Sequence, residues 1–178
     1  MLIELLVGLS FQTQPENGTW YDLQYGFTKF RQLNYAAGVG LRGDNWAVEY
    51  QDLGNEFSEY TDQNSFHFDG HQHPRGVWAV WEPHIGDSWY ARAGLGVDKP
   101  NFNMRISGIP NTEPFSVGNN HVAPSYLVGG GFRVREHVDA VFDVRYVYAS
   151  VKGAQNPALS NFPNLGKFAA SLQVRYAF

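Results

Sequence analysis

The 178-residue sequence predicts an all-β fold: a single domain, residues 1–178, forming an eight-stranded antiparallel up-and-down β-barrel with three short turns and four long loops. Two observations carry that expectation. Apolar residues recur at every second position in eight stretches, and the connections between the stretches alternate between short and long. Side chains in a strand point alternately to opposite faces, so each stretch is a ribbon with one apolar and one polar side. The ribbon at 166–178 (GKFAASLQVRYAF) sets the pattern, with Phe168, Ala170, Leu172, Val174, Tyr176 and Phe178 on one face and Lys167, Ala169, Ser171, Gln173, Arg175 and Ala177 on the other.

In chain order, the first strand spans about 2–13, where Ile3, Leu5, Val7, Leu9 and Phe11 alternate with Glu4, Leu6, Gly8, Ser10 and Gln12. The second, near 34–42, sets Tyr35, Ala37, Val39 and Leu41 against Ala36, Gly38, Gly40 and Arg42. Gly43-Asp44-Asn45 is a tight turn by composition, because these residues tolerate positive φ. The third strand follows with Trp46, Val48 and Tyr50 opposite Ala47, Glu49 and Gln51. The fourth, about 75–82, carries Val77, Ala79 and Trp81 against Trp78, Val80 and Glu82, and the segment 83–87 turns the chain. The fifth sets Trp89, Ala91, Ala93, Leu95 and Val97 against Tyr90, Arg92, Gly94, Gly96 and Asp98. The sixth, about 125–135, sets Tyr126, Val128, Gly130, Phe132 and Val134 against Leu127, Gly129, Gly131, Arg133 and Arg135. After the Glu136-His137 turn, the seventh sets Val138, Ala140, Phe142, Val144, Tyr146 and Tyr148 against Val141, Asp143, Arg145 and Val147. The C-terminal ribbon is the eighth.

The long connections fall at about 14–33, 53–74, 99–124 and 151–165 and hold most of the Asn, Pro and Ser. An even strand number, with short turns at one end and long polar loops at the other, is the anatomy of bacterial outer-membrane barrels. Composition agrees. The formal charge is −4 and Lys and Arg form no dense patch, which argues against a nucleic-acid partner. The absence of Cys excludes disulfides and thiolate metal sites. No apolar run reaches the roughly 20 residues of a membrane helix. A mean hydropathy of −0.35 is compatible with a membrane barrel, because only alternate strand residues meet lipid.

Three features choose a transmembrane-type barrel over a soluble cup with its apolar face inward. The polar face has Gly at mid-strand (Gly8, Gly38, Gly40, Gly94, Gly96, Gly129 and Gly131), which makes room for large side chains in a narrow lumen. The same face carries both signs of charge. Glu4, Glu49, Glu82, Asp98 and Asp143 stand against Arg42, Arg92, Arg133, Arg145, Lys167 and Arg175, a set suited to pairing inside a lumen. Aromatics on the apolar face cluster at strand ends, Trp46, Trp81, Trp89, Tyr176 and Phe178 by the short turns and Phe11, Tyr35, Tyr50, Tyr126, Tyr148 and Phe168 towards the loops. Two such girdles mark the two interfaces of a bilayer.

Strand rhythm, turn lengths and the terminal Phe178 together resemble the small eight-stranded outer-membrane barrels, like the membrane domain of outer-membrane protein A. The resemblance covers nearly the whole chain and implies an outer-membrane location, a bilayer as the surrounding partner and no particular activity. A fainter likeness lies at 144–150 (VRYVYAS), which is similar to a segment of outer-membrane lipid A deacylases. That family has a His-x-Ser pair near the outer rim with an acidic partner. Ser150 matches the nucleophile, but Tyr148 stands where the base belongs, and a phenol of pKa near 10 does not take a serine proton at neutral pH. Hydrolysis is therefore not expected, and a lipid-acting hydrolase stands as an alternative only.

Met1 opens directly onto the first strand, with no basic region, apolar region and cleavage site ahead of it. Two expectations follow: Met replacing a signal peptide, or a native start in a barrel covered by a protein assembly such as a virion. His67, Asp69, His71 and His73 (HFDGHQHP) form the only metal-like cluster, with spacing that suits one Zn or Ni ion. The preferred reading is a polar loop leading into the fourth strand, with no metal or other cofactor. The lumen is expected to be filled by its charges, leaving no porin-like channel. The sequence thus points to a non-enzymatic barrel acting structurally or in recognition through its long loops.

Overall fold

The structure, a computed structural model, describes residues 1–15, 28–54, 56–61, 67–99, 101–108, 111, 113–119, 121–147 and 167–178. Its strands are β1 (Leu2–Pro15), β2 (Thr28–Arg42), β3 (Trp46–Asp52), β4 (Glu56–Thr61), β5 (His67–Gln72), β6 (Arg75–Trp81), β7 (His84–Ile85), β8 (Trp89–Lys99), β9 (Phe102–Ser107), β10 (Phe115–Asn119), β11 (Ala123–Arg135), β12 (Val138–Val147) and β13 (Lys167–Ala177). Eight of them, in the order β1-β2-β3-β6-β8-β11-β12-β13, form an antiparallel ring that closes where β13 pairs with β1. Closure puts Val7 opposite Val174 and Leu9 opposite Leu172, so the sheet has no edge to leave N–H and C=O groups unpaired in hydrocarbon. The two-residue β7 folds back on β8 inside the turn, pairing Ile85 with Trp89.

Burial follows strand parity. The pattern alternates exposed and buried along β3 and β6 without a slip. Leu95, Val128, Phe142 and Leu172 are half or more exposed on the outside, while Glu49, Arg92 and Asp143 are fully buried inside. The small apolar interior is made of pieces that fit between charges: Ala47, Trp78, Val80 and Leu127 in one cluster, and Ala36, Leu53 and Ala169 in another.

Two boundaries depart from the sequence expectation. β2 begins at Thr28, six residues earlier than expected, and pairs with a β1 that runs on to Pro15 past a register shift between Gln12 and Thr13. The connections at 53–74 and 99–124 are not irregular loops, because they contain β4, β5, β9 and β10. These pair as a second sheet in the order β10-β9-β5-β4. This sheet prolongs the barrel wall. The β6–β8 register, Arg75 opposite Lys99, continues unbroken to His71 opposite Asn103 and His67 opposite Ser107. The β8–β11 register likewise carries from Asp98 opposite Ala123 to Phe102 opposite Asn119. Between β3 and β4 the register slips by one residue, at a break where Gly54 takes a φ of 79°.

Candidate functional site

Four strands aim arginines at one column of carboxylates. At the centre, Arg92 on β8 reaches Glu49 of β3 (Nη2–Oε1 2.7 Å), Glu82 just past β6 (Nη1–Oε1 2.5 Å) and Asp143 of β12 (Nε–Oδ1 2.9 Å). A planar guanidinium has a fork of five donors, which lets one side chain tie three strands together. Nearer the short turns, Arg175 spans Glu82 (2.6 Å) and Asp139 (2.9 Å) and approaches Glu4 (3.5 Å). Arg42 meets Asp139 at 2.8 Å and Glu82 at 3.3 Å. The Tyr90 hydroxyl accepts from Arg175 at 2.7 Å and donates to Asp139 at 3.0 Å, with its ring beneath both guanidinium groups. Towards the loops, Arg145 lies 4.3 Å over the Trp78 ring and hydrogen-bonds Gln51, which Gln173 also reaches at 3.0 Å. Paired in this way, buried charges hold the strands at fixed heights around the ring.

Glycine makes this packing possible at two points. A Cβ at Gly131 would overlap the Tyr90 ring, and one at Gly96 would meet the Trp78 indole, with Cγ 2.7 Å away.

Of the expected lumen residues, Glu4, Arg42, Glu49, Glu82, Arg92, Asp98, Asp143, Arg145 and Arg175 are buried inside. Arg133 keeps the inward register, directly opposite the buried Asp139, at the edge of the network. It sits by the register shift between Arg133 and Arg135, its side chain is 40% exposed, and it reaches Asp139 only at 4.0 Å. Lys167 begins β13, and its side chain lies outside the described residues. The sequence reading missed Asp139, which holds Arg42 and Arg175; it set Tyr90, Gln51, Gln173 and Trp78 on the inward face without assigning them to the network. Parity was the available signal, since Asp139 is two residues from Val141 and four from Asp143. The girdle residues Trp46, Trp81, Trp89, Tyr176 and Phe178 are all 46–61% exposed on the outside. Trp89 packs on Phe132 and Tyr176 on Phe178, with ring centroids 4.7 and 5.7 Å apart.

At the loop-side end, Asp52, His73 and Arg75 form a chain on the outer face. His73 Nε2 donates to Asp52 Oδ1 at 2.7 Å, and its Nδ1 takes Arg75 Nη2 at 3.0 Å. The Arg75 Nε also lies 3.3 Å from Asp52 Oδ2, and Asn101 holds the His73 carbonyl at 3.0 Å. With both ring nitrogens engaged, this imidazole orients Arg75 and has no free nitrogen to act as a base. The side chains of His67, Asp69 and His71 lie outside the described residues, and the backbone sets these residues opposite Ser107, Arg105 and Asn103. Tyr148 and Ser150 also lie outside the described residues.

No family model and no curated protein matches the sequence. The fold does match solved structures over nearly its whole length. A major outer membrane protein of Thermus thermophilus superposes with a TM-score of 0.62 at 11% identity, covering 99% of this chain and 98% of that one. Neisserial surface protein A gives 0.60 at 14% identity, covering 99% and 97%. Ail, the attachment invasion locus protein of Yersinia pestis, gives 0.59 at 12% identity, covering 99% and 98%. At such identities the likeness is one of architecture: this chain has the fold of the small eight-stranded outer-membrane β-barrels.

Proposed function

We propose that the chain is a non-enzymatic barrel of the bacterial outer membrane, with its wall in lipid, its lumen filled, and its biological work done in recognition at the loop end. One observation carries the reading. The charged network is buried inside, while a continuous wall of Leu, Val, Ile and aromatic side chains stands exposed outside. A wall of this extent is far larger than the apolar patches of soluble monomers and calls for lipid or a covering partner. The girdles at both strand ends favour lipid. The projecting sheet supports recognition, because it offers a built surface beyond the wall. Ail, named for attachment and invasion, shares the fold.

The test is refolding into phospholipid vesicles with single cysteines labelled by a water-soluble maleimide. Leu95→Cys and Leu172→Cys should be protected in vesicles, while Asn103→Cys on the projecting sheet should label freely. Equal labelling at all three positions would refute the membrane reading. For recognition, cells displaying the barrel should lose adhesion to their target surface when the β4–β5 and β9–β10 hairpins are replaced by tight turns.

A further inference from the structure

Arg75 and Lys99 stand directly opposite each other on β6 and β8, and both are exposed on the outer face. Like charges directly opposite across a strand pair repel and destabilise it. Asp52 shares part of the Arg75 charge, at 3.3 Å, and His73 fixes the guanidinium from the other side. Lys99 has no ion pair among the described residues. Among the described residues the rim at this point is therefore net cationic, with Arg75 held in place.

The same two strands carry a second feature directly below. Moving away from the loops, the outward pairs are Val77 with Val97, Ala79 with Leu95, and Trp81 with Ala93. The two alanines floor an apolar trench of about 650 Å³ in the barrel's outer wall, flanked by Trp46 and Val48 of β3 and by Tyr126 and Val128 of β11. At about 3.3 Å per residue, Ala79 lies roughly 13 Å along the strand from Arg75. In a bilayer that is the relation of an acyl chain to its own headgroup.

We propose that this face binds an anionic phospholipid, one with no cationic group of its own to neutralise its phosphate, with its acyl chain in the trench and its phosphate between Arg75 and Lys99. The inference rests on the membrane reading above. Charge complementarity selects the occupant: a neutral lipid fills the trench but leaves the cations unanswered, and a free phosphate answers the cations but leaves the trench open. Asp52 tempers the site, because its carboxylate competes with the phosphate for Arg75.

The experiment uses the barrel in phosphatidylcholine vesicles doped with an equal fraction of acyl-brominated phosphatidylglycerol or acyl-brominated phosphatidylcholine. Bromine quenches nearby indoles, and Trp46 and Trp81 line the trench. Of the five tryptophans, Trp89→Phe and Trp20→Phe remove two competing signals, and the buried Trp78 stays as a background that Ala93→Leu leaves in place. Brominated phosphatidylglycerol should quench more strongly than brominated phosphatidylcholine. Lys99→Gln should cut that preference about fivefold, the worth of one interfacial cation near an anionic lipid. Asp52→Asn should raise the preference, an effect that a merely structural Asp52 would not produce, and Ala93→Leu should abolish it by filling the trench. Native mass spectrometry of the unaltered barrel should retain phosphatidylglycerol over phosphatidylcholine, which covers the case of a variant that misfolds. Equal quenching by the two lipids overturns the proposal, as does a preference that survives Arg75→Gln with Lys99→Gln. Displacement of the lipid by soluble glycerol phosphate at matched concentration also overturns it, because the trench would then contribute nothing. Failure to insert into vesicles at all would instead overturn the membrane reading.

Discussion

Arg92 shows how much of the interior depends on single side chains. Its guanidinium is the common partner of Glu49, Glu82 and Asp143, none of which is more than 1% exposed. Replacing it with Met leaves buried carboxylates without their counter-charge, a loss expected to cost about 3–5 kcal/mol. Arg92→Lys should recover only part of that, because a point charge cannot span three carboxylates on different strands. Urea unfolding of the vesicle-inserted barrel measures both, and an unchanged midpoint for Arg92→Met would show that the network is ornamental. Gly131→Ala should destabilise by about 1–3 kcal/mol, since the Tyr90 ring it would strike is pinned by Arg175 and Asp139 and has nowhere to move. Gly130→Ala, whose Cβ meets only the Tyr90 carbonyl at 3.3 Å, is the internal control and should cost less in the same unfolding assay. The inward placement of Arg92 and Glu49 was legible from alternation alone. Which carboxylate each arginine meets was not, because pairing across the lumen depends on the stagger between strands, and alternation carries no information on stagger.

Among the strands, those of the membrane wall were read to within about two residues, apart from the start of β2, and those beyond it were not. The wall strands announce themselves because lipid demands an apolar residue at every outward position. Leu172 on β13 meets this demand at 55% exposure, and Leu172→Arg should cost about 2–4 kcal/mol in a bilayer, measured as the free energy of folding into vesicles. A cost near zero would mean that this face does not meet hydrocarbon. β4, β5, β9 and β10 face no such demand. In HFDGHQ and FNMRIS, polar and apolar residues alternate weakly and neither face is uniformly greasy, so the sequence looks like a loop. What makes them strands is continuity: their partners are already aligned by β6, β8 and β11 below, so each further pair extends an existing register. Nucleation comes from the wall. Replacing residues 55–72 with a tight turn should therefore leave the barrel folded, seen as an unchanged heat-dependent shift of mobility on a denaturing gel. Loss of the folded band would show that the projecting sheet supports the wall.

Taken whole, the molecule is a closed ring crossed inside by a network of ion pairs, and on the proposed reading this network decides whether it conducts. An ion moving along the axis first meets Arg42, Glu82, Tyr90, Asp139 and Arg175, joined by contacts of 2.6–3.3 Å. It then meets Arg92 with Glu49 and Asp143, and beyond them Arg145 stacked on Trp78 and bonded to Gln51. Opening a path means parting several charge-assisted hydrogen bonds together, each worth about 1.5–3 kcal/mol. The strands cannot spread to relieve this, because the ring is closed from β1 to β13 by a continuous register from Glu4 opposite Ala177 to Gln12 opposite Ala169. In planar bilayers the protein should therefore show no steady porin-like conductance, and vesicles containing it should not admit small sugars. Arg92→Ala combined with Arg175→Ala removes the two guanidinium groups that bridge the network. If that variant folds, it should show brief openings where the parent is silent. Sustained conductance by the parent, at a level set by salt concentration as in an aqueous pore, would mean that the network parts readily and that the lumen serves transport.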